Sequence, residues 1–577
     1  MRVLFSALHL AYFRNFESAI RELAARGHQV HLSADEVEAP VSMGGQQLAD
    51  SLAAQYPAVS WDLAPSLAEE GWFDAARRLR LGLDYVRVLE PRYASAPKLR
   101  IRAHERTPRV VRWVAGVPVV GRPLARAALT GIERTLPASE RLKDYLRVHK
   151  PDVVVLVSLT YSRSQQFDLL KATQELGIPV AAAIMSWDHL SSKALLHLPP
   201  DRVIVWNDVQ RQEAVDMHGL PEDRIVATGA QCYDQWFSRA PERSREEFCA
   251  AMGLRTDRPF VLWVHSALSP TPDPPEPVLV TRWLDALRSS SNPALRELGV
   301  LVRPHPERLK EWTGVDLSRF DNVVFHGRNP IDADAKHDYF DALFYSRAVI
   351  GRVTSAFLEA AVVGRPVLTF TLPEYRLHQE EMLHFRYLTS VAGGLLRTAP
   401  DIAAHLAQLA DVIAAPPETR DERNRRFLSA FVRPAGLDVP ATPAFADAIE
   451  KLHEDGRDRS VVRYGQSWMT PVTVAAASAT HSGVGRWLML DIRGDETDSH
   501  RDRKLQIVQA RVAAKTGRQQ AKAQRRARRA RRDAFLRRGK EVKSALLSAR
   551  YRTAMALHRA LALAGFDRGH SGHGKDD

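Results

Sequence analysis

The sequence has almost no cysteine and no long hydrophobic run. Its 577 residues include only two cysteines, Cys232 and Cys249, too few for a disulfide framework or a cysteine-rich zinc module, which favours a reducing compartment. No apolar run reaches the ~18–20 residues of a membrane-spanning helix, and the first residues lack the apolar segment of a signal peptide. We therefore expect a cytoplasmic protein, or one held at the inner surface of the cell membrane.

Several catalytic motifs are also missing. The loop after the first predicted strand, residues 7–12, contains no glycine, which disfavours a nicotinamide or flavin site of the G-x-G-x-x-G type. There is no P-loop and no G-x-S-x-G nucleophile elbow. Asp332 and Asp334 form a D-x-D pair but precede a predicted helix instead of following a strand, and the histidines lack zinc spacing. We predict no metal site and no bound cofactor.

The net charge of +13 is concentrated in the C-terminal tail. Residues 501–552 contain 19 Lys and Arg and three acidic residues, a net charge of 19 − 3 = +16, which is larger than the net charge of the whole chain. The body of the chain is nearly neutral, so nothing in it indicates nucleic-acid binding. Strong helix formers predict a basic helical tail over 501–577. The tail could bind an anionic membrane surface or stay solvated. Nucleic acid is the less favoured partner, because Phe535 and Tyr551 are the only aromatic residues of 501–552.

Short apolar strands alternate with helical patterns along most of the chain. This alternation predicts parallel sheets, and thus an α/β fold of two doubly wound, Rossmann-like lobes with a cleft between them. Such sheets bind ligands outside the carboxyl ends of their strands. The predicted divisions are an N-terminal lobe (1–240) with a helical insertion (about 70–148), a C-terminal lobe (255–450) and a linker before the tail (455–500).

The C-terminal lobe places phosphate-binding residue types after its predicted strands. Thr354 and Ser355 suit the start of a helix, where free backbone N–H groups and the helix dipole favour a diphosphate. Glu359 lies one turn along on the same side as Ser355, where it could accept hydrogen bonds from ribose hydroxyls. The other candidate residues of this lobe also follow predicted strands: His265, Ser266, Arg303, His305, Gln379 and Glu380.

Four stretches resemble the GT-B glycosyltransferases: Arg26-Gly-His-Gln-Val-His, the Thr-Ser…Glu-Ala…Gly-Arg-Pro-Val segment from Thr354, the loop beginning at Met185, and Val205-Trp-Asn-Asp…Gly229-Ala-Gln-Cys-Tyr-Asp. The branch they resemble lies near the CDP-glycerol glycerophosphotransferases and the non-hydrolysing UDP-N-acetylglucosamine 2-epimerases, and the resemblance covers roughly residues 1–450. It implies a nucleotide-diphosphate sugar donor in the C-terminal lobe and a saccharide, polyol or lipid-linked acceptor in the N-terminal lobe. It also implies metal-independent chemistry, in which basic groups and a helix dipole stabilise the leaving diphosphate.

The resemblance implies a histidine base in the loop after the first strand, and here the sequence departs from the family. The family spacing, counted back from Arg26, falls on Tyr12. A histidine side chain ordinarily titrates near neutrality, which suits general-base work, so His9 in the same loop is one candidate. Asp188 is the other candidate, as base or as the group that orients a histidine.

We predict a glycosyltransferase of cell-surface polysaccharide or glycolipid synthesis. The alternatives are a glycerophosphotransferase-like enzyme, a UDP-sugar epimerase-like enzyme and a scaffold without turnover.

Overall fold

The computed structural model describes residues 1–36, 44–162, 164–267, 273–416, 421–456, 461–479, 547–557 and 559–560. The chain divides into two compact units, Met1–Gly494 and Asp495–Asp577. The described residues of the second unit, 547–557 and 559–560, are helical. Most of the predicted basic tail, and residues 480–500 of the predicted linker, lie outside the described residues.

The first sheet is built from seven parallel strands in the order β3-β2-β1-β4-β5-β6-β7. Every residue of the first strand after Arg2 is buried, because helices cover both faces of a parallel sheet. The strands are β1 (Arg2–His9), β2 (Gln29–Glu36), β3 (Val59–Leu63), β4 (Val153–Leu156), β5 (Val180–Ala183), β6 (Arg202–Val205) and β7 (Ile225–Ala227).

Among the described residues, eleven helices accompany this sheet, and four of them form the insertion between β3 and β4. They are α1 (Glu17–Ala25), α2 (Gly45–Gln55), α3 (Phe73–Val88), α4 (Pro97–Arg106), α5 (Arg109–Ala115), α6 (Gly121–Thr135), α7 (Glu140–His149), α8 (Gln166–Glu175), α9 (His189–Ser192), α10 (Asp208–His218) and α11 (Asp234–Ser238). The insertion comprises α3 to α6.

A buried ion network attaches the insertion to the first lobe. Arg80 on α3 donates to Glu133 on α6 (Nη2 to Oε1, 2.9 Å) and to Asp168 on α8 (Nη2 to Oδ1, 2.8 Å). Lys171 on α8 lies 2.9 Å from the same Glu133 carboxylate. All four side chains are buried. Charges can be buried at tolerable cost only when they are paired and hydrogen-bonded in this way.

The second sheet has six parallel strands in the order β10-β9-β8-β11-β12-β13. They are β8 (Phe260–Val264), β9 (Gly299–Arg303), β10 (Val323–Phe325), β11 (Val349–Gly351), β12 (Val367–Phe370) and β13 (Arg397–Ala399). Numbered from the start of the lobe, this order is 3-2-1-4-5-6, the order of the Rossmann fold, and the first six strands of the first sheet share it. The prediction of two doubly wound α/β lobes is confirmed.

The remaining helices of the first unit follow β7. They are α12 (Arg245–Met252), α13 (Glu276–Arg288), α14 (Pro293–Arg296), α15 (Ala333–Tyr345), α16 (Ala356–Val362), α17 (Leu383–Ser390), α18 (Ile402–Ala414), α19 (Glu422–Phe431), α20 (Ala441–Asp455) and α21 (Thr470–Ala479). The last of these lies within the predicted linker. Across the described residues, no helix combines the length and the apolar character needed to cross a bilayer.

Helix α20 leaves the second lobe and packs on the first. Its Phe445 and Ile449 belong to the same buried cluster as residues of β1 and α1. Arg26, after α1, donates to Glu450 on α20 (Nη1 to Oε2, 2.8 Å), and Nε2 of His28 lies 2.7 Å from the other oxygen of that carboxylate. The Arg26–His28 part of the stretch quoted above thus anchors the returning helix.

Asp234 holds the chain where it re-enters the first lobe. Its carboxylate accepts hydrogen bonds from Arg433 (Nη2, 2.7 Å), from the backbone N–H groups of Ala441 (3.1 Å) and Thr442 (2.7 Å), and from the Thr442 hydroxyl (2.6 Å). We expect Asp234→Ala to lower the free energy of unfolding by about 3 kcal/mol, because buried Arg433 loses its carboxylate and α20 loses its cap. Urea denaturation measures this change.

Asp447→Ala is the matched control for Asp234→Ala. The Asp447 side chain is 67% exposed and pairs with Arg26 at 2.6 Å, so its loss should cost less than about 1 kcal/mol. Equal, small changes in the two variants would contradict the role assigned to Asp234.

Candidate active site

Loops from the carboxyl ends of the two sheets approach each other, and the interlobe cleft is the region between these loops. The 3-10 helix Leu10–Asn15 follows β1 and carries Arg14. Arg14 is exposed, and its guanidinium interacts electrostatically with the carboxylates of Glu359 and Glu307, both in the second lobe. The lobes also touch directly, since a Cβ added to Gly44 would lie 2.1 Å from Ile331. The cleft is the place where predicted site residues from both lobes can meet.

Helix α17 of the second lobe forms further contacts with the first lobe. The Tyr387 hydroxyl donates to Glu213 of α10 (2.7 Å), whose pKa burial raises to about 8. The rings of His384 and Trp187 meet edge to face, with centroids 5.0 Å apart. Arg386 donates to the hydroxyl of Ser95, beside the insertion helix α4 (3.1 Å). The described conformation therefore has its lobes joined by specific polar and aromatic contacts.

Arg303 and Glu359 meet on the second-lobe side of the cleft. The guanidinium of Arg303 lies over the ring of Tyr339, 4.3 Å from its centroid, and donates to the carbonyl of Arg328 (2.6 Å). The Tyr339 hydroxyl donates in turn to Glu359. Burial raises the pKa of Glu359, against the opposing effects of this hydrogen bond and of the Arg14 and Arg303 charges. A fixed cation and a carboxylate are thus held together at the end of β9 and the start of α16.

His305 adds a neutral imidazole to this group. Burial lowers its pKa to about 4, and the neighbouring His265 and the charges of Arg308 and Arg14 act in the same direction. Its Nδ1 accepts from the backbone N–H of Glu307 (3.3 Å), so Nε2 carries the proton and is the donor of the ring. His265 itself is 3% exposed, and among the described residues neither of its ring nitrogens has a hydrogen-bond partner.

The predicted helix start at Thr354 and Ser355 has a different capping pattern from the one expected. Thr354 Oγ1 accepts from the backbone N–H of Ala356 (3.3 Å), whereas Ser355, the exposed N-cap residue, makes no capping hydrogen bond in the described chain. Helix α16 has only seven residues, which gives it a small dipole. The side chains of Arg303, His305 and Glu359 therefore carry more of the candidate site than the helix terminus does.

Three other predicted residues do not join this group. Ser266 donates to Glu276 through its hydroxyl (2.7 Å) and its backbone N–H (3.2 Å). The Gln379 amide donates to Thr369 Oγ1 (2.9 Å) and to a backbone carbonyl. Both residues are buried, so these bonds occupy the donor groups predicted for a ligand. Glu380 is exposed beside Gln379.

On the first-lobe side, the rings of His9 and Tyr12 are in contact. Their ring centroids are 3.9 Å apart, and Tyr12 lies 5.3 Å from the ring of Tyr161. The Tyr161 hydroxyl is 3.3 Å from Nε2 of His189. The loops after β1, β4 and β5 thus build one aromatic and imidazole cluster, and His9 stands beside the position that the family spacing assigns to a histidine.

Asp188 is a hydrogen-bonded carboxylate next to this cluster. It accepts from the hydroxyls of Ser186 (2.7 Å) and Ser192 (2.8 Å). Burial acts to raise the pKa of Asp188, but the opposing effects of Lys193 and of nearby histidines prevail, and the pKa lies below its ordinary value. An ionised, weakly basic carboxylate with both oxygens engaged is better suited to orienting its surroundings than to removing a proton.

The first-lobe side of the cleft is rich in cations that sequence reasoning missed. Arg102 on α4 donates to the carbonyl of Ser192, and the Lys193 ammonium lies 5.2 Å from the ring centroid of Tyr161. Burial, together with neighbouring positive charges, lowers the pKa of Lys98 to about 7 and that of Arg102 to about 10. No local signal distinguishes these residues from the other basic residues of α4, because only packing turns one face of that helix toward the cleft.

One group of potential metal ligands occurs in the part of the chain that the structure describes. His31, Asp62 and His149 place their ligand atoms within 4.8 Å of one another. Asp62 already pairs with His31 (3.0 Å) and His149 (3.1 Å). His149 ends α7 and precedes β4, so the group lies toward the amino end of the sheet, away from the cleft.

Two Rossmann-like lobes, a cleft between their carboxyl edges and a helix that returns to the first lobe define the chain as a GT-B-type fold. No protein-family model and no curated protein matches it. A glycosyltransferase from Rickettsia africae ESF-5 is similar in structure: 10% identity, TM-score 0.45, covering 78% of this chain and 98% of that one.

Two other solved structures are similar to a comparable degree. UDP-GlcNAc 2-epimerase from Neisseria meningitidis, bound to UDP-GlcNAc, is 12% identical with a TM-score of 0.43, covering 78% of this chain and 100% of that one. A variant of the wall teichoic acid polymerase TagF is 11% identical with a TM-score of 0.38, covering 79% and 89%.

Proposed function

We propose that this chain is a glycosyltransferase, which moves a sugar from a nucleotide-diphosphate sugar to an acceptor hydroxyl in the interlobe cleft. The observation that carries the proposal is the grouping of Arg303, His305, Arg14 and Glu359 opposite the His9 cluster. Fixed cations and N–H donors stabilise a leaving diphosphate best where water is scarce. The Glu359 carboxylate suits the hydroxyls of a ribose.

The proposed reaction assigns one step to each side of the cleft. On the first-lobe side, His9 takes the proton of the acceptor hydroxyl while that oxygen bonds to the anomeric carbon. Asp188 orients the surrounding loop. On the other side, the bond between the anomeric carbon and the diphosphate oxygen breaks, and the diphosphate leaves with the electron pair. Arg303, Arg14 and Nε2–H of His305 donate to its oxygens.

The positive first-lobe side favours transfer over epimerisation. Lys193 lies over the ring of Tyr161 and Arg102 donates to the carbonyl of Ser192, both on the first-lobe side, where an epimerase, which has no acceptor, would have no use for them. These cations suit an anionic acceptor, such as a growing phosphate-bearing surface polymer or a lipid-linked phosphate. A polyol-phosphate transferase could use the same residues, and the identity of the donor separates the two activities.

The first test is a thermal-shift screen of the full chain against nucleotide diphosphates and nucleotide sugars. A ligand at 100 times its Kd adds about 2.7 kcal/mol of stability. A shift with a uridine-type sugar supports sugar transfer, and one with a cytidine-type polyol donor supports polyol-phosphate transfer. Isomerisation of a donor incubated alone would identify an epimerase, and no shift with any nucleotide would contradict the donor site.

We expect His9→Gln to lower kcat by a factor of about 100 to 10,000 while leaving the Kd of the donor unchanged. The proton would lose its acceptor, whereas none of the proposed donor contacts is made by His9. Single-turnover transfer and donor titration measure the two quantities. His104→Gln, exposed on α4, is the control and should retain full turnover. A His9 variant with normal turnover would leave another group as the base.

A further inference from the structure

Within the helical insertion, the turn between α5 and α6 exposes a group of apolar side chains. Val119 is 94% exposed. Four further apolar side chains around the turn are each at least half exposed: Trp113, Val117, Val120 and Leu124. Single exposed apolar residues are common on protein surfaces, but a contiguous group of this kind marks a site of interaction.

The backbone of this turn is strained. Val119 has φ +63°, a left-handed conformation that is a true outlier for a β-branched residue. The turn is also tightly packed, since a Cβ on Gly121 would lie 2.1 Å from the carbonyl of Val114. Glycine or asparagine at position 119 would relieve the strain. A valine there is unfavourable for stability and for solubility, which indicates that its exposed side chain has a use.

The charged residues of the turn segment itself are all basic. Residues 107–132 contain Arg109, Arg112, Arg122 and Arg126 and no acidic residue. An apolar tip on a segment whose only charged residues are arginines is complementary to a surface that is apolar beneath and negative on top. A protein partner would more commonly meet both charge signs at the rim of its interface.

A surface depression of about 660 Å³ lies directly beside the tip. Arg92, Arg122 and Arg126 line it together with Glu90 and Val119. Glu90 pairs with Arg92 (3.0 Å) and with Arg126 (3.7 Å), so the lining of the depression has three arginines and one acidic residue. This excess of planar, bidentate donors suits a phosphate oxyanion.

We infer that residues 109–126 of the insertion form a docking surface for an anionic lipid bilayer. Val119, Val120 and Trp113 enter the boundary between headgroups and acyl chains, and the depression holds the phosphate of one headgroup. The surface belongs to the first unit and does not include the 501–552 segment, whose basic character is a property of the sequence alone. The inference stands independently of the proposed transferase activity.

The test is sedimentation of the full chain with vesicles of phosphatidylcholine, with and without about 30% phosphatidylglycerol. The variants are Val119→Asp with Val120→Asp, and Arg122→Ala with Arg126→Ala. The control is Val278→Asp, which changes an equally apolar side chain, 57% exposed, on α13 of the second lobe. Each binding curve is measured at about 0.15 M and about 0.5 M salt, because salt screens attraction by the 501–552 segment but not apolar insertion.

We expect the valine pair to weaken binding to anionic vesicles at least about tenfold, most clearly at high salt, and the arginine pair to remove the preference for phosphatidylglycerol. The control should bind like the unaltered chain. Hydrogen exchange gives a direct readout, since vesicles should protect backbone amides of residues 113–124. Unchanged vesicle binding in both double variants would overturn the inference. So would a self-association that the valine pair abolishes while vesicle binding persists, because the surface would then join two copies of the chain.

Discussion

Replacement of Arg303 by alanine is expected to reduce kcat/KM for transfer at least about 100-fold, because it removes a fixed cation from the developing diphosphate charge. Arg303 is 9% exposed and is held over Tyr339 beside Glu359. Its loss should also weaken binding of a nucleotide diphosphate, since that ligand carries the same charge. Arg303→Lys should recover only part of either quantity, because an ammonium group can neither lie flat on the ring nor donate bidentately.

Two further variants separate a role in binding from a role in folding. Arg328→Ala keeps the backbone carbonyl that Arg303 bonds and removes only a side chain that is 54% exposed, so it should behave like the unaltered chain. Gly327→Ala would place a Cβ 2.7 Å from Cγ of Arg303, and we expect an intermediate loss through displacement of the guanidinium. Transfer by Arg303→Ala within threefold of normal, with an unchanged Tm, would remove Arg303 from the site.

The second large effect is expected in the buried ion network of the insertion. Arg80→Ala leaves Glu133 and Asp168 facing each other with one cation, Lys171, in place of two. Removing one member of a buried charge group costs about 3–5 kcal/mol, and urea denaturation should show a loss of that size. Arg147→Ala is the control, because its pair with Asp144 is exposed (53% and 70%) and should contribute less than about 1 kcal/mol. A loss from Arg80→Ala as small as the control's would contradict the network's role.

The same network predicts a stability change in acid. Burial acts to raise the pKa of Glu133, but Arg80 and Lys171 outweigh it and hold the pKa at about 2, below the ordinary value of 4.5. A carboxylate with a lowered pKa stabilises the fold fully above its unfolded-state value and loses that contribution as the pH falls through the folded value. The difference in unfolding free energy between the unaltered chain and Glu133→Gln should therefore shrink between pH 4.5 and 2. A difference independent of pH in this range would argue against an ionised Glu133.

The candidate site was predictable where it depends on strands. Arg303, His305 and Glu359 follow predicted strands of one sheet, and the carboxyl ends of parallel strands meet at one edge whatever the details of packing. Gln379 also follows a predicted strand of this sheet, yet its amide donates a hydrogen bond to the buried Thr369 hydroxyl. The rule specifies the edge of the sheet on which a residue lies, whereas the direction of its side chain depends on the polar groups that need partners nearby.

The sequence by itself determined the two parallel sheets, because apolar runs of strand length alternating with amphipathic helices can be buried in few other ways. It also determined where the charge of the chain is concentrated. Only the tertiary structure decided that α4 turns Lys98 and Arg102 toward the cleft, that Arg14 faces the second lobe, that Asp234 fastens the returning helix, and that α5 and α6 expose an apolar turn. These features rest on contacts between segments far apart in the chain, and periodicity reports only which face of a helix is apolar, not which neighbour that face meets.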